Sequence, residues 1–367
     1  MENTEINTET NLNQYKRNTA RKLASVRIVT DIKAIPEKDR IVQYDLDGWK
    51  VIDQKDKYSI GDLVVYLEPD SFVPTSLVPF LTKEGKNPKT FANISGEILK
   101  TVKFGGAISQ GLILDKSKVN PDDLVEGNDL TETYQIYKYE APIKGFRGGN
   151  NPKGDFPYFI RKTAQNRVQN IKNYLVPARE AKEEFEVTRK LHGMSMTVYN
   201  VNSDVSVCSH NVDLKDSHNN VFWNQAKELD LIEALKNHWI MTGKDLAIQG
   251  ELIGLGCCNN QYNLAGNAFY VFDIFDIKEQ RYLLPSERYA KIKDLENAGA
   301  RELESVPIYY KSCTLDYFSK DNIINEMLEV ADIEYKLTGH EGFVYKSLGR
   351  DFSFKVVSNL WLVNTKG

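Results

Sequence analysis

The sequence has little cysteine, no long apolar run and no excess of positive charge. Its four cysteines, Cys208, Cys257, Cys258 and Cys313, show no CxxC spacing. Adjacent Cys257 and Cys258 do not readily bridge each other, so all four read as reduced thiols of a cytoplasmic-type compartment. No stretch approaches the ~18 consecutive apolar residues of a membrane-spanning helix. The opening MENTEINTETNLNQYKRN lacks the apolar core of a secretory signal. A soluble protein with no membrane partner is expected. The net charge is −4 and the pI about 5.9. Any grip on a polyanion must therefore come from local positive charge.

What is present suits a globular protein. Hydrophobic residues make up 41% and aromatics 11% of 367 residues, enough for two domains with their own cores. Residues 1–18 are polar and read as a disordered tail. From Leu23 to about Thr131 the chain runs in short β-branched and aromatic stretches: ASVRIVTDI, RIVQYDLDGWKVI, DLVVYLEPDSFVP and EILKTVKFGGAISQGLIL. DG, IGD and GG punctuate them. Over 19–135 this predicts an OB-like β-barrel, with an SH3-like barrel as the alternative.

Residues 136–160 are rich in Gly, Pro and Asn and read as a linker. Between Lys138 and Lys172 stand eight bases and two acids. Tyr139, Phe146, Phe156, Tyr158 and Phe159 interleave with them, the combination a nucleic-acid strand needs. The alternative is a solvated linker whose rings dock on the domains. From 161 to 367 helices and strands alternate. Helices are expected at TAQNRVQNIKNYLV, capped by Thr163, at NNVFWNQAKELDLIEALKNHWIMTG with a stop at Gly243, at PSERYAKIKDLENA and at SKDNIINEMLEVADIEYKL. This predicts an α+β domain with mostly antiparallel strands.

Within it, FEVTRKLHGMSMTVYN places Lys190 at the end of an alternating strand, three residues before Gly193. A surface lysine on a strand edge is the plain reading, and a nucleophilic amine in a cleft is the other. Four signals follow in order: Ser209-His210-Asn211, Gly250-Glu251, Phe272-Asp273, and Glu341-Gly342 with Lys355 after it. Each is weak alone. Together they supply an amine, two carboxylates, an aromatic face and a second cation, a set suited to attack on a nucleoside triphosphate.

In this order the motifs resemble those of the covalent nucleotidyltransferases, the ATP-dependent ligases and capping enzymes. KLASVRIVTDI, DGWKV, GDLVVYLEPDSFVP, ISQGL and FIRKTAQNRVQN further resemble RNA ligases of the Naegleria type. The resemblance implies an OB domain followed by a nucleotidyltransferase (ATP-grasp-like ligase) domain of antiparallel sheets and helices. It implies ATP and a divalent metal, Mg or Mn, as cofactors, and a monomer acting on RNA, at nicks in a duplex.

By the same resemblance Lys190 takes AMP and Lys355 contacts the α-phosphate. Glu251 holds the ribose, Phe272 stacks on adenine and Glu341 binds metal. His192, Gly193, Ser195 and His210 complete the nucleotide site. Three positions depart from the family pattern. His210 stands where an arginine is common, and imidazole does not replace a guanidinium fork. Ala164 stands where an acid is common, and Lys355 lacks a lysine two residues away, a role Lys346 is a candidate to fill. His218 and His238 read as structural or surface residues, and His340 has no assignment. A DNA ligase, a capping-type transferase and an OB binding protein with a degenerate transferase domain are the competing readings. DNA ligases and capping enzymes carry a further OB domain after the last motif, and this chain stops just past it.

Overall fold

The computed structural model describes residues 21–139, 152–163 and 165–365. The expected tail over 1–18 lies outside them. So do Lys144, Phe146 and Arg147 of the basic stretch, and Ala164. The chain divides into two compact units, Met1–Pro142 with Asn359–Gly367, and Ile143–Ser358.

The first unit is built of short antiparallel strands. Strand Lys38–Leu46 returns as Trp49–Gln54 with Leu46 opposite Trp49, so the turn is Asp47-Gly48 alone. Both turn residues have positive φ, 52° and 87°, which the tightest hairpin turn requires and Asp-Gly tolerates. Strand Leu63–Leu67 reads LVVYL without alternation because it is buried on both faces. Val65 and Leu67 enter one core with Leu23, Val26 and Val73, and Val64 and Tyr66 enter another with Tyr44, Trp49 and Val51.

The last helix, Asn359–Thr365, belongs to this unit. Asn359 Oδ1 accepts from Gln110 Nε2 at 3.1 Å, and Trp361 and Leu362 are buried. The sequence reading assigned these residues to the second domain. Their short apolar pattern does not say which core they join.

The second unit holds two sheets. The seven-stranded sheet runs Pro152–Asp155, Val212–Leu214, Asp204–Cys208, Met194–Val201, Leu246–Gly254, Asn267–Asp276, Arg281–Tyr282, all antiparallel. The five-stranded sheet runs Asn166–Arg167, Ser353–Val357, Gly342–Ser347, Phe185–Lys190, Ile308–Cys313. Among the described residues its parallel pair is Asn166–Arg167 with Ser353–Val357, and its other pairs are antiparallel. Helices Val221–Glu228, Leu231–Thr242 and Pro285–Asn297 cover one face of the larger sheet around Met196, Val198, Ile248, Leu252 and Val271. Helices Lys172–Glu180 and Ile323–Thr338 cover one face of the smaller sheet around Phe185, Val187, Phe343, Tyr345, Phe354 and Val356.

Side chains alternate along a strand. The remaining faces therefore carry Glu186, Thr188 and Lys190 on the smaller sheet, and Ser195, Thr197, Gln249 and Glu251 on the larger one. Strand Phe185–Lys190 lies in the smaller sheet and the next strand, Met194–Val201, in the larger, so Leu191-His192-Gly193 is the crossover between them.

Three expectations change. The helix predicted from Thr163 begins only at Lys172; residues 166–170 form a short strand and a 3-10 turn. The helix predicted across 219–243 is two, separated at Asp230, which has φ 52°; the second ends at Gly243 in the left-handed conformation as predicted. Part of the expected linker, Pro152–Asp155, is an edge strand, and Phe156 and Phe159 pack with Tyr199 and Phe275. Tyr158 is 97% exposed.

Trp361→Ala is expected to lower the unfolding free energy by about 3–5 kcal/mol, the usual cost of truncating a fully buried indole. Denaturant titration with far-UV circular dichroism checks it.

Candidate active site

Lys190 stands opposite Gly342 in the pairing of its strand with Gly342–Ser347. This register brings the residue before Gly342 to the lysine: Lys190 Nζ donates to Glu341 Oε2 at 2.8 Å. Gly342 has φ 144°, and a Cβ there would lie 2.1 Å from the Val356 carbonyl. No side chain fits, so the Glu-Gly spacing is a packing requirement. Lys355 lies opposite Val344 on the adjacent strand. Alternation puts it on the same face as Lys190.

The crossover is held from the larger sheet. Gly193 N–H donates to Glu251 Oε1 at 2.8 Å, and Ser195 stands opposite Glu251. A Cβ on Gly193 would lie 2.4 Å from the Leu252 carbonyl, so the glycine lets the turn press against that strand. His192 N–H donates to the Tyr262 hydroxyl at 2.8 Å, and its Nδ1 lies 3.9 Å from Glu341 Oε2.

Phe272 occupies a special backbone position. Gly250 pairs with Val271 and Gln249 with Asp273, leaving Phe272 as the extra residue of a β-bulge. Bulges re-aim side chains beside functional sites. The Phe272 carbonyl accepts from Lys346 Nζ, and from Arg288 Nη1 at 3.3 Å. His210 is exposed in the turn after Cys208, whose partner Thr197 is two residues from Ser195.

Lys346 is not the missing second lysine beside Lys355. It is buried, and its ammonium binds Asp273 and the Phe272 carbonyl. This pair joins the smaller sheet to the larger. Arg288 is also fully buried and binds Glu186 at 2.8 and 3.1 Å; Tyr289 donates to the same carboxylate. No sequence motif marks Arg288, Glu186 or Tyr262.

The electrostatics follow from burial and charge. Burial alone would lower the Lys190 pKa, but Glu341 and Glu251 outweigh it and hold the ammonium above its ordinary value. Desolvation pushes Glu251 up to about 7, against the pull of Lys190 and with a push from Glu341. Desolvation lowers Lys346 despite Asp273.

Among the described residues no three His, Cys, Asp or Glu side chains cluster to hold a metal. One carboxylate, Glu341, suits a hard cation that keeps water and phosphate ligands better than it suits a caged metal.

Comparisons with known proteins bear on the fold and the family. A family model described as RNA ligase matches residues 183–357, and an OB-fold domain model matches 23–116. No curated protein matches the sequence. Naegleria gruberi RNA ligase solved with pyrophosphate aligns with a TM-score of 0.75 at 34% identity, over 94% of this chain and 98% of that one. A mutant of that ligase with AMP and Mn gives 0.76 at 34%, over 93% and 98%. Another, with ATP and Mn, gives 0.74 at 35%, over 93% and 98%. The fold is that of an RNA ligase with an OB-fold domain ahead of the ligase domain. The chain belongs to the family of Naegleria gruberi RNA ligase.

Glu251→Gln keeps an acceptor for Gly193 N–H but cannot ionise. Because the folded carboxyl has the raised pKa, the native state holds its proton between pH ~4.5 and ~7 while the unfolded chain loses it. Wild-type stability therefore falls with pH across that window. The nucleotide-free variant is expected to melt roughly 2–5 °C above wild type at pH 8 and level with it at pH 4.5. Differential scanning calorimetry at both pH values checks this.

Proposed function

We propose that this chain is an ATP-dependent RNA ligase that joins 3′-hydroxyl and 5′-phosphate ends, at nicks in a duplex, through lysyl–AMP and adenylylated RNA. The observation that carries the reading is Lys190 at a sheet crossover, 2.8 Å from Glu341, with Glu251 holding the next turn.

Lys190 must lose its proton to attack. In the nucleotide-free protein the two carboxylates keep it charged, which holds the amine unreactive. A divalent cation on Glu341, Mg or Mn, would neutralise phosphate charge and draw that carboxylate away from the ammonium. The neutral Lys190 Nζ then forms a bond to the α-phosphorus of ATP. The bond from that phosphorus to the pyrophosphate oxygen breaks, and the amine proton leaves to solvent. Lys355 would face the α-phosphate oxygens, where charge grows in the transition state. Glu251 would accept from the ribose hydroxyls, Phe272 would carry adenine on its ring, and Ser195, His192, Gly193 and His210 would line the nucleotide. In the second step an RNA 5′-phosphate oxygen attacks the AMP phosphorus, the P–N bond breaks and Lys190 regains a proton. In the third, an RNA 3′-hydroxyl attacks that 5′-phosphate and AMP departs.

RNA grip is assigned to the first unit and to the exposed part of the basic stretch. Within that stretch Arg161 pairs with Asp351 at 2.9 Å and Arg167 is buried. Lys153, half-exposed, likewise pairs with Asp213 at 3.7 Å, and the exposed Tyr158 ring is the candidate RNA contact.

Two variants test the assignment. Incubated with labelled ATP and Mn, the wild-type chain is expected to carry label through a denaturing gel, and Lys190→Ala to carry none. The same variant should still join pre-adenylylated RNA, because the last step does not use the amine. Label on Lys190→Ala removes this lysine from the chemistry. Glu341→Gln should lower adduct formation at least tenfold at every Mn concentration, since both the metal-binding charge and the partner of Lys190 are lost. Full recovery at high Mn would leave Glu341 without that role.

A further inference from the structure

Between strands Leu246–Gly254 and Asn267–Asp276 the chain forms a loop whose backbone is unusual. Cys258, Asn259 and Asn260 have φ of 42°, 59° and 49° in succession, and Asn263 has 51°. Such a run is unfavourable for residues with side chains and persists only where surroundings hold it. The Asn260 amide clips the loop to itself: Nδ2 donates to the Leu264 carbonyl at 2.9 Å, and Oδ1 accepts from Leu264 N–H at 3.0 Å.

Four further contacts of the loop reach the two turns that carry the candidate site. Tyr262 Oη accepts from His192 N–H at 2.8 Å. Cys258 Sγ lies 3.1 Å from the Gly193 carbonyl. Gln261 Nε2 donates to the Gly339 carbonyl at 3.2 Å, and the Tyr262 ring lies 5.9 Å from that of His340. One loop thus braces residues 192–193, just after Lys190, and residues 339–340, just before Glu341.

We propose that Tyr262 is a positioning residue for the lysine-adenylylation step, its loop fixing the Lys190 turn against the Glu341 turn. The inference rests on the reading of Lys190 as the nucleophile. It gives the loop a task that no motif in the sequence signals. Tyr262 acts through the backbone of His192, and through the ring of His340, on the line between the amine and the carboxylate. Small displacements of a reacting group slow its chemistry far more than they weaken substrate binding. The effect should be confined to the step that uses Lys190 as nucleophile. Joining of RNA that already carries AMP does not depend on where that amine lies.

Tyr262→Phe removes the acceptor for His192 N–H and keeps the ring. Single-turnover formation of the lysyl–AMP adduct from ATP and Mn is measured beside joining of a pre-adenylylated nick, with melting temperature as a fold check. Adduct formation at saturating ATP is expected to slow about three- to tenfold, the scale of one lost hydrogen bond. Half-saturating ATP should stay within twofold and the joining rate should not change. Tyr262→Ala, which also loses the ring, should slow adduct formation further. If that variant does not fold, Tyr262→Phe alone decides. A wild-type adduct rate in Tyr262→Phe overturns the inference, as does equal slowing of both reactions. A change in half-saturating ATP alone makes Tyr262 a nucleotide contact and also overturns it. Should the wild-type chain form no adduct at all, the functional reading falls and this inference with it.

Discussion

Three residues, Leu191 to Gly193, carry the chain from the five-stranded sheet to the seven-stranded one. So short a crossover constrains everything near it. Gly193 must press against the Leu252 carbonyl, which only a residue without Cβ permits. The pairing of Lys190 with Gly342 then brings Glu341 to the lysine. Glu251 reaches Gly193 N–H from the other sheet. The amine and its two carboxylates are thus set by strand register and one crossover, the firmest geometry a fold offers.

The unit solves a partition problem. Each sheet turns one face to helices and a dry core. The other faces hold charge, and some of it is buried where no water can compensate it. The pairs Lys346–Asp273 and Arg288–Glu186 meet that demand in the same region, both tied to the Phe272 carbonyl. Breaking one partner of such a pair leaves an uncompensated ion, at a cost of about 3–5 kcal/mol. The Phe272 bulge is therefore pinned from two directions, and its ring gains a fixed base.

Much of this was legible beforehand because it rests on local rules. Alternation located the strand that carries Lys190, and Asp47-Gly48 marked a break between strands. The order of the motifs pointed to a lysine nucleophile family. Other features depend on tertiary partners and left no local trace. Tyr262 is an ordinary loop residue until His192 N–H is placed against it. Lys346 looked free to serve a phosphate because its burial against Asp273 arises from a strand 73 residues away. Helical pattern around Thr163 yielded to pairing of Asn166–Arg167 with the last strand of the smaller sheet. Asp230 splits a continuous helical periodicity because a left-handed residue lies within it.

The return of Asn359–Thr365 to the first unit has a consequence for how the protein is made. In topological terms the ligase unit is an insertion: residues 143–358 interrupt a unit that begins before them and ends after them. During synthesis the strands up to residue 139 leave the ribosome long before Trp361 and Leu362, which are buried in the finished protein. Domains tend to fold in order of emergence. By that order the first unit to emerge is the last to receive its final helix, Asn359–Thr365, after the inserted unit has been made.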